Sequence, residues 1–153
     1  MKSTDAASTY PVCEIFNSLQ GEGFFTGTAA IFLRFSGCNR RCSFCDTDFS
    51  ACEHLTADSI VARLAEAGGG RGRITHLVAT GGEPSMWLDD ALVGRLKEEG
   101  YFIQVETNGS LPLPDAVDWI TCSPKTPPYG LGRIDELKVV FSPETADPES
   151  LRS

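Results

Sequence analysis

Three cysteines, Cys38, Cys42 and Cys45, stand as C-x-x-x-C-x-x-C in the run GCNRRCSFCDT, directly after the apolar segment AIFLRFSG. A loop of this length can wrap three thiolates around one compact group. Cubane iron–sulfur clusters take about one cysteine per iron, so three close thiolates with no evident fourth leave one iron open for chemistry. Zinc is the competing reading, since it wants about four ligands and could recruit Cys52 or His54 from a little further along. Paired C-x-x-C knuckles, the more usual zinc signature, do not occur here.

A cysteine loop works only if other elements bring further groups to it. AIFLRFSG reads as a buried strand ending at Gly37, preceded by a polar, glycine-bearing binding loop, EIFNSLQGEGFFTGT. From Thr56 the spacing of Ile60, Val61, Leu64 and Ala65 predicts an amphipathic helix that stops at Gly68-Gly69-Gly70. THLVAT reads as the next strand, ending at GGEP. LDDALVGRLKEEG is a second helix with Leu88, Leu92 and Leu96 on one face. YFIQVET, VDWITCS and DELKVVF are three more strand candidates. Such alternation implies an α/β fold with a mostly parallel sheet and right-handed crossovers. In a parallel sheet the carboxyl ends of the strands share one edge, so GCNRRC, GGEP, TNG and SPK should converge on one site.

The 153 residues suit a single domain over 1–153. A formal charge of -8 makes nucleic acid a poor partner. No apolar run reaches the roughly 20 residues of a membrane span. The opening MKSTDAASTYPV lacks the apolar stretch of a signal peptide, so a cytoplasmic location is expected. His54 and His76 have no ligand-spaced partners, and Cys13, Cys52 and Cys122 read as packing or surface residues.

The cysteine loop with an aromatic before its last cysteine, followed by GGEP after the next strand, resembles the radical S-adenosylmethionine superfamily. The ordered set EIFNSLQGEG, FLRFSGCNRRCSFCDT, TGGEP, ETNG, SPK and DELK is similar, more narrowly, to the 7-carboxy-7-deazaguanine synthase family. This resemblance implies a partial (β/α) barrel, an abbreviated form of the superfamily core. It implies an open iron that binds S-adenosylmethionine and a 5'-deoxyadenosyl radical that contracts the ring of 6-carboxy-5,6,7,8-tetrahydropterin. It also implies Mg2+, a flavodoxin- or ferredoxin-type reductant and a homodimer.

Residue by residue, the resemblance gives Cys38, Cys42 and Cys45 to the 4Fe-4S cluster and Thr47 to magnesium. Phe44, Cys45, Asp46, Gly82, Ser123, Pro124 and Lys125 go to S-adenosylmethionine, where glycines at 81 and 82 let backbone approach closely. Leu19, Gln20, Gly21, Arg34 and Thr80 go to the substrate. Arg34 sits inside IFLRF, where an unpaired charge would be costly, and its guanidinium could hold a carboxylate in two parallel hydrogen bonds. Glu106 and Asn108 of ETNG could reach the ligand or simply shape a turn. Family members continue past DELK with a further helix, a strand and late ligand contacts. Asp147-Pro148-Glu149 is a good helix start near the end of this chain. The expectation is either a truncated form or a short variant whose site is completed by dimerisation. The rival readings are another radical S-adenosylmethionine enzyme, such as a glycyl-radical activase, and a zinc-stabilised module without catalysis.

Overall fold

The computed structural model describes residues 8–42, 45, 51–69 and 74–140. Its centre is a seven-stranded open sheet in the order β3-β1-β2-β4-β5-β6-β7. The strands are β1 (Thr9–Leu19), β2 (Ala29–Phe35), β3 (Glu53–Thr56), β4 (His76–Gly81), β5 (Phe102–Thr107), β6 (Trp119–Cys122) and β7 (Glu136–Leu137). Each neighbouring pair from β2 to β7 is parallel, whereas β1 runs antiparallel to both β2 and β3. The mostly parallel α/β sheet expected from the alternation is therefore present, without closure into a barrel. No helix among the described residues is long and apolar enough to cross a membrane.

Two helices cover one face. Thr56 caps α1 (Ala57–Ala67) by accepting from the Ser59 backbone N–H. Gly68 and Gly69 end it, and Gly69 takes φ +78, a value glycine adopts without strain. Asp89 caps α2 (Asp90–Glu98), and Arg95 and Lys97 stand at its C-terminal end, where positive charge is favoured. Ile60 and Leu64 from α1, with Leu92, Val93 and Leu96 from α2, bury against Ile31, Leu33 and Phe35 of β2 and Leu77 and Ala79 of β4. Burial of each large aliphatic chain stabilises the fold by about 1.5–3 kcal/mol.

Among the described residues the opposite sheet face has no helix. It carries the alternate positions, among them Phe32, Arg34, Thr80, Gln104, Glu106 and Thr121. A turn after β1 folds over part of it, closed by Gln20 N–H to Thr28 O at 2.8 Å and Gly27 N–H to Gln20 O at 2.7 Å. Its Phe25 stands edge-on to His76, Phe102 and Trp119, with ring centroids 4.7, 5.4 and 5.0 Å apart. His76, which lacks ligand-spaced partners in the sequence, packs in this aromatic group and bonds to Gln104 Oε1 at 2.8 Å.

Three local expectations need correction. EIFNSL is strand, not loop: Glu14, Phe16 and Ser18 lie on the sheet face that no described helix covers, where Phe16 stacks on Phe32 at 5.2 Å, while Asn17 on the other face donates to Ala67 O at the end of α1 at 2.6 Å. Leu88 is buried ahead of α2 rather than on it. The strand read over DELKVVF pairs only at Glu136–Leu137 among the described residues. The helix start at 147–149 lies outside the described residues.

One polar contact ties the sheet edge to α2. The Tyr10 hydroxyl donates to both Asp89 oxygens, at 3.0 and 3.2 Å, while Asp89 caps the helix. Burial first, then this bond to Asp89, pushes the Tyr10 phenol up from 10.0 to about 12. A raised acid resists ionisation when folded. Its stabilising share is whole below the ordinary value and is lost as pH rises through the folded one. Tyr10→Phe should therefore cost about 1 kcal/mol at neutral pH and blunt the loss of stability across the alkaline window between 10 and 12. Urea unfolding of both proteins over that range checks it, and equal stability at pH 7 would contradict it.

Candidate active site

At the carboxyl ends of β2, β4, β5 and β6 the loops enclose a cleft of about 380 Å³. Cys38, Cys42 and Cys45 all line it, together with Gly82 of GGEP and Ser123 and Lys125 of SPK. The loop convergence expected of a parallel sheet is thus realised.

The glycines of GGEP are explained by backbone packing. A Cβ on Gly82 would sit 1.8 Å from Gly37 O and 2.9 Å from Cys38 N, and one on Gly81, at φ +134, 2.2 Å from Phe35 O. Two hydrogen bonds seal this approach, Gly82 N–H to Phe35 O at 3.1 Å and Glu83 N–H to Gly37 O at 2.9 Å. The close neighbour that demands glycine at both positions is therefore the entry to the cysteine loop itself.

Glu83 is the anchor that sequence reasoning missed. Only 1% exposed, it accepts at Oε1 from Ser85 N at 3.0 Å, Ser85 Oγ at 2.5 Å and Thr107 Oγ1 at 2.6 Å, and at Oε2 from Asn108 N at 2.7 Å. It joins the turn after β4 to the turn after β5. A carboxylate preceding the Pro84 that opens a 3-10 turn has an N-cap signature, which was the available signal. Asn39 continues the stitching by accepting from Asn108 Nδ2 at 3.0 Å and donating to Ser110 Oγ at 2.8 Å.

Burial pushes the Cys38 thiol up; a bond from the Arg40 backbone N–H acts against this, and Glu83, Cys42 and Cys45 push further upward. Negative groups gathered in this way disfavour a bare thiolate at Cys38 and favour a cation beside it. Each thiolate of a cubane cluster binds a different iron, so the three must face one cavity rather than one point, which is what they do. Among the described residues no three His, Cys, Asp or Glu side chains converge on a single ion. Cys52 and His54 are exposed at the β3 side and do not line the cleft, so neither stands beside the three thiols as a fourth zinc ligand. Cys122 is 1% exposed and lies beneath Gly109, in keeping with a packing role.

The residues expected to meet substrate are placed unevenly. Gln20 is buried and donates through Nε2 to Glu106 Oε1 at 3.2 Å, and Thr80 Oγ1 donates to Glu106 Oε2 at 3.3 Å. Glu106 lines both the main cleft and an adjoining hollow of about 320 Å³ that Gln104, Thr121, Glu136 and Lys138 also border. Lys138, from DELK, pairs with Glu22 of LQGEG where the two spaces meet. Leu19 is 62% exposed and Gly21 is exposed; neither they nor Gln20, Thr80 and Arg34 line the cleft or the hollow, and Gln20 and Thr80 reach both only through Glu106. Arg34 stands beside Thr80 in register, with its Nε bonded to Glu14 Oε1 at 2.6 Å. Lys125 Nζ lies 2.9 Å from Ser123 Oγ, with Pro124 between them in sequence. Phe44, Asp46 and Thr47 lie outside the described residues.

An open α/β sheet with a three-cysteine loop after one strand and a GGEP turn after the next defines a radical S-adenosylmethionine domain. The model of the Radical SAM superfamily matches residues 33–129. The 7-carboxy-7-deazaguanine synthase of Bacteroides thetaiotaomicron is 52% identical over 129 residues, covering 84% of this chain and 68% of that protein. The synthase of Caulobacter vibrioides is 44% identical over 159 residues, covering 92% and 76%. The crystal structure of QueE from Escherichia coli superposes with a TM-score of 0.74 at 29% identity, covering 86% of this chain and 70% of that one. The chain belongs to the 7-carboxy-7-deazaguanine synthase family.

Proposed function

We propose that this chain converts 6-carboxy-5,6,7,8-tetrahydropterin to 7-carboxy-7-deazaguanine, using a 4Fe-4S cluster and S-adenosylmethionine. The observation that carries the reading is the convergence of three thiols, the GGEP turn and the SPK loop on one cleft, which shares Glu22, Glu106, Thr121 and Lys138 with an adjoining hollow. When bound, the cluster and S-adenosylmethionine would supply one-electron chemistry that removes a hydrogen atom from a substrate carbon.

The chain's own residues position that chemistry. Cys38, Cys42 and Cys45 hold the cluster. Gly82, the segment Ser123, Pro124 and Lys125, and Phe44, Cys45 and Asp46 of the cluster loop take S-adenosylmethionine. Gln20, Thr80 and Glu106 form one hydrogen-bonded group that can exchange its internal bonds for the amide edge of a pterin. Leu19 and Gly21 belong to the same turn as Gln20. Thr47 supplies a hydroxyl to Mg2+, a hard cation that retains waters and substrate oxygens. A flavodoxin- or ferredoxin-type protein provides the electron, and the active form is a homodimer.

Arg34 is assigned to the substrate carboxylate, and its bond to Glu14, half-exposed on β1, is one that substrate can displace. Arg34→Lys keeps the charge but loses the fork. Productive binding should weaken by about 1.5–3 kcal/mol, while iron content and substrate-free cleavage of S-adenosylmethionine persist. Parallel loss of iron and of both activities would make Arg34 structural. Thr47→Ala should weaken magnesium stimulation at unchanged iron content, and an unaltered magnesium titration would remove Thr47 from the site.

A further inference from the structure

Arg40, between the first two cysteines, has more hydrogen-bonding capacity than the described residues use. Its Nη1 donates to the Thr126 hydroxyl and its Nη2 to the Thr126 carbonyl at 2.8 Å, so the guanidinium bridges the cysteine loop and the loop after β6. Its backbone N–H bonds to Cys38. Its Nε, by contrast, is buried and without a partner among the described residues. Arg40 also lines the cleft with the three thiols. A buried N–H lacking an acceptor is unfavourable, and arginine cannot relieve this by releasing a proton. An anion in the cleft would relieve it.

We propose that Arg40 is a positioning residue for the cluster: its Nη atoms hold the 123–126 loop at the cleft, and its Nε–H and fixed charge face the anionic cluster. This rests on the reading that Cys38, Cys42 and Cys45 hold that cluster. Hydrogen bonds to cluster sulfurs, together with local charge, set the reduction potential, and a cation nearby favours the more negative, reduced form. Arg40 should therefore raise the potential, while Thr126 transmits its hold to the S-adenosylmethionine loop. The carboxylate of S-adenosylmethionine is the other anion that could accept from Nε, and the two sources separate experimentally.

The test compares anaerobically reconstituted wild type, Arg40→Met, Arg40→Lys and Thr126→Val by iron content. It then uses potentiometric titration followed by electron paramagnetic resonance, first without and then with S-adenosylmethionine, and binding of S-adenosylmethionine. Arg40→Met should load iron but titrate at a more negative midpoint even without S-adenosylmethionine, and Arg40→Lys should fall between it and wild type. Thr126→Val should keep the wild-type midpoint and bind S-adenosylmethionine several-fold more weakly. A wild-type midpoint in iron-loaded Arg40→Met would overturn the proposal, as would a shift seen only after S-adenosylmethionine is added. If Arg40→Met takes up no iron, Arg40→Lys decides by its midpoint. Failure of both to load would reduce Arg40 to a structural role and overturn it too. Wild type that itself takes up no iron would instead overturn the underlying cluster reading.

Discussion

Cys38→Ala, Cys42→Ala and Cys45→Ala should each abolish the iron–sulfur cluster, with reconstituted iron falling from about four per chain to near zero. The three thiols border one cleft, and neither Cys52 nor His54 lines it as a substitute. Removing one thiolate leaves two protein ligands, with a second iron uncovered in a pocket that already disfavours bare thiolates at Cys38. The fold should survive, because Cys42 is only half-buried and Cys45 is exposed, so neither belongs to the core. Iron and sulfide analysis beside far-ultraviolet circular dichroism separates the two. Stoichiometric zinc in place of iron would contradict the assignment.

The second large effect lies at a residue that binds nothing through its side chain. Gly82→Ala would drive a methyl to 1.8 Å from Gly37 O and 2.3 Å from Gly37 C, and these are backbone atoms that cannot swing aside. The bond from Glu83 N–H to Gly37 O must part, and the start of the cysteine loop must move with it. Strain and a lost buried bond together should cost roughly 3 kcal/mol or more. Iron loading should fall several-fold. Gly94→Ala in α2 is the matching control, since a Cβ there meets nothing within 4 Å. In a helix interior that exchange should stabilise by about 0.5–1 kcal/mol. Thermal unfolding with iron analysis measures both, and a Gly82→Ala protein of wild-type stability and iron content would refute the packing argument.

Much of the framework was legible because it rests on local chemistry. Thr56, Asp89 and Gly68–Gly69 are cap residues, so both helices could be read, and apolar runs marked β2, β4 and β5 because helices bury one face of each. The cysteine loop was legible because three thiols in eight residues have few other uses. Burial without apolarity was not legible. β1 and β3 lie at the antiparallel edge of the sheet, and most of their mixed residues follow from a face without helices among the described residues. Glu83 could not be weighed because its value lies in four donors from Ser85, Thr107 and Asn108, which only the fold brings together. For Arg34 the apolar neighbours pointed to a buried charge, but its alternation places it on the open face beside Glu14, across the sheet from the core. Nothing in the sequence singled out Arg40, since its partner Thr126 is 86 residues away.

The most direct measurement is turnover. The anaerobically reconstituted protein, incubated with dithionite, S-adenosylmethionine, Mg2+ and 6-carboxy-5,6,7,8-tetrahydropterin, should release 7-carboxy-7-deazaguanine and 5'-deoxyadenosine, both identified by mass spectrometry. Cys38→Ala should release neither. An iron-loaded protein that cleaves S-adenosylmethionine yet leaves the carboxylated pterin unchanged would contradict the assigned reaction.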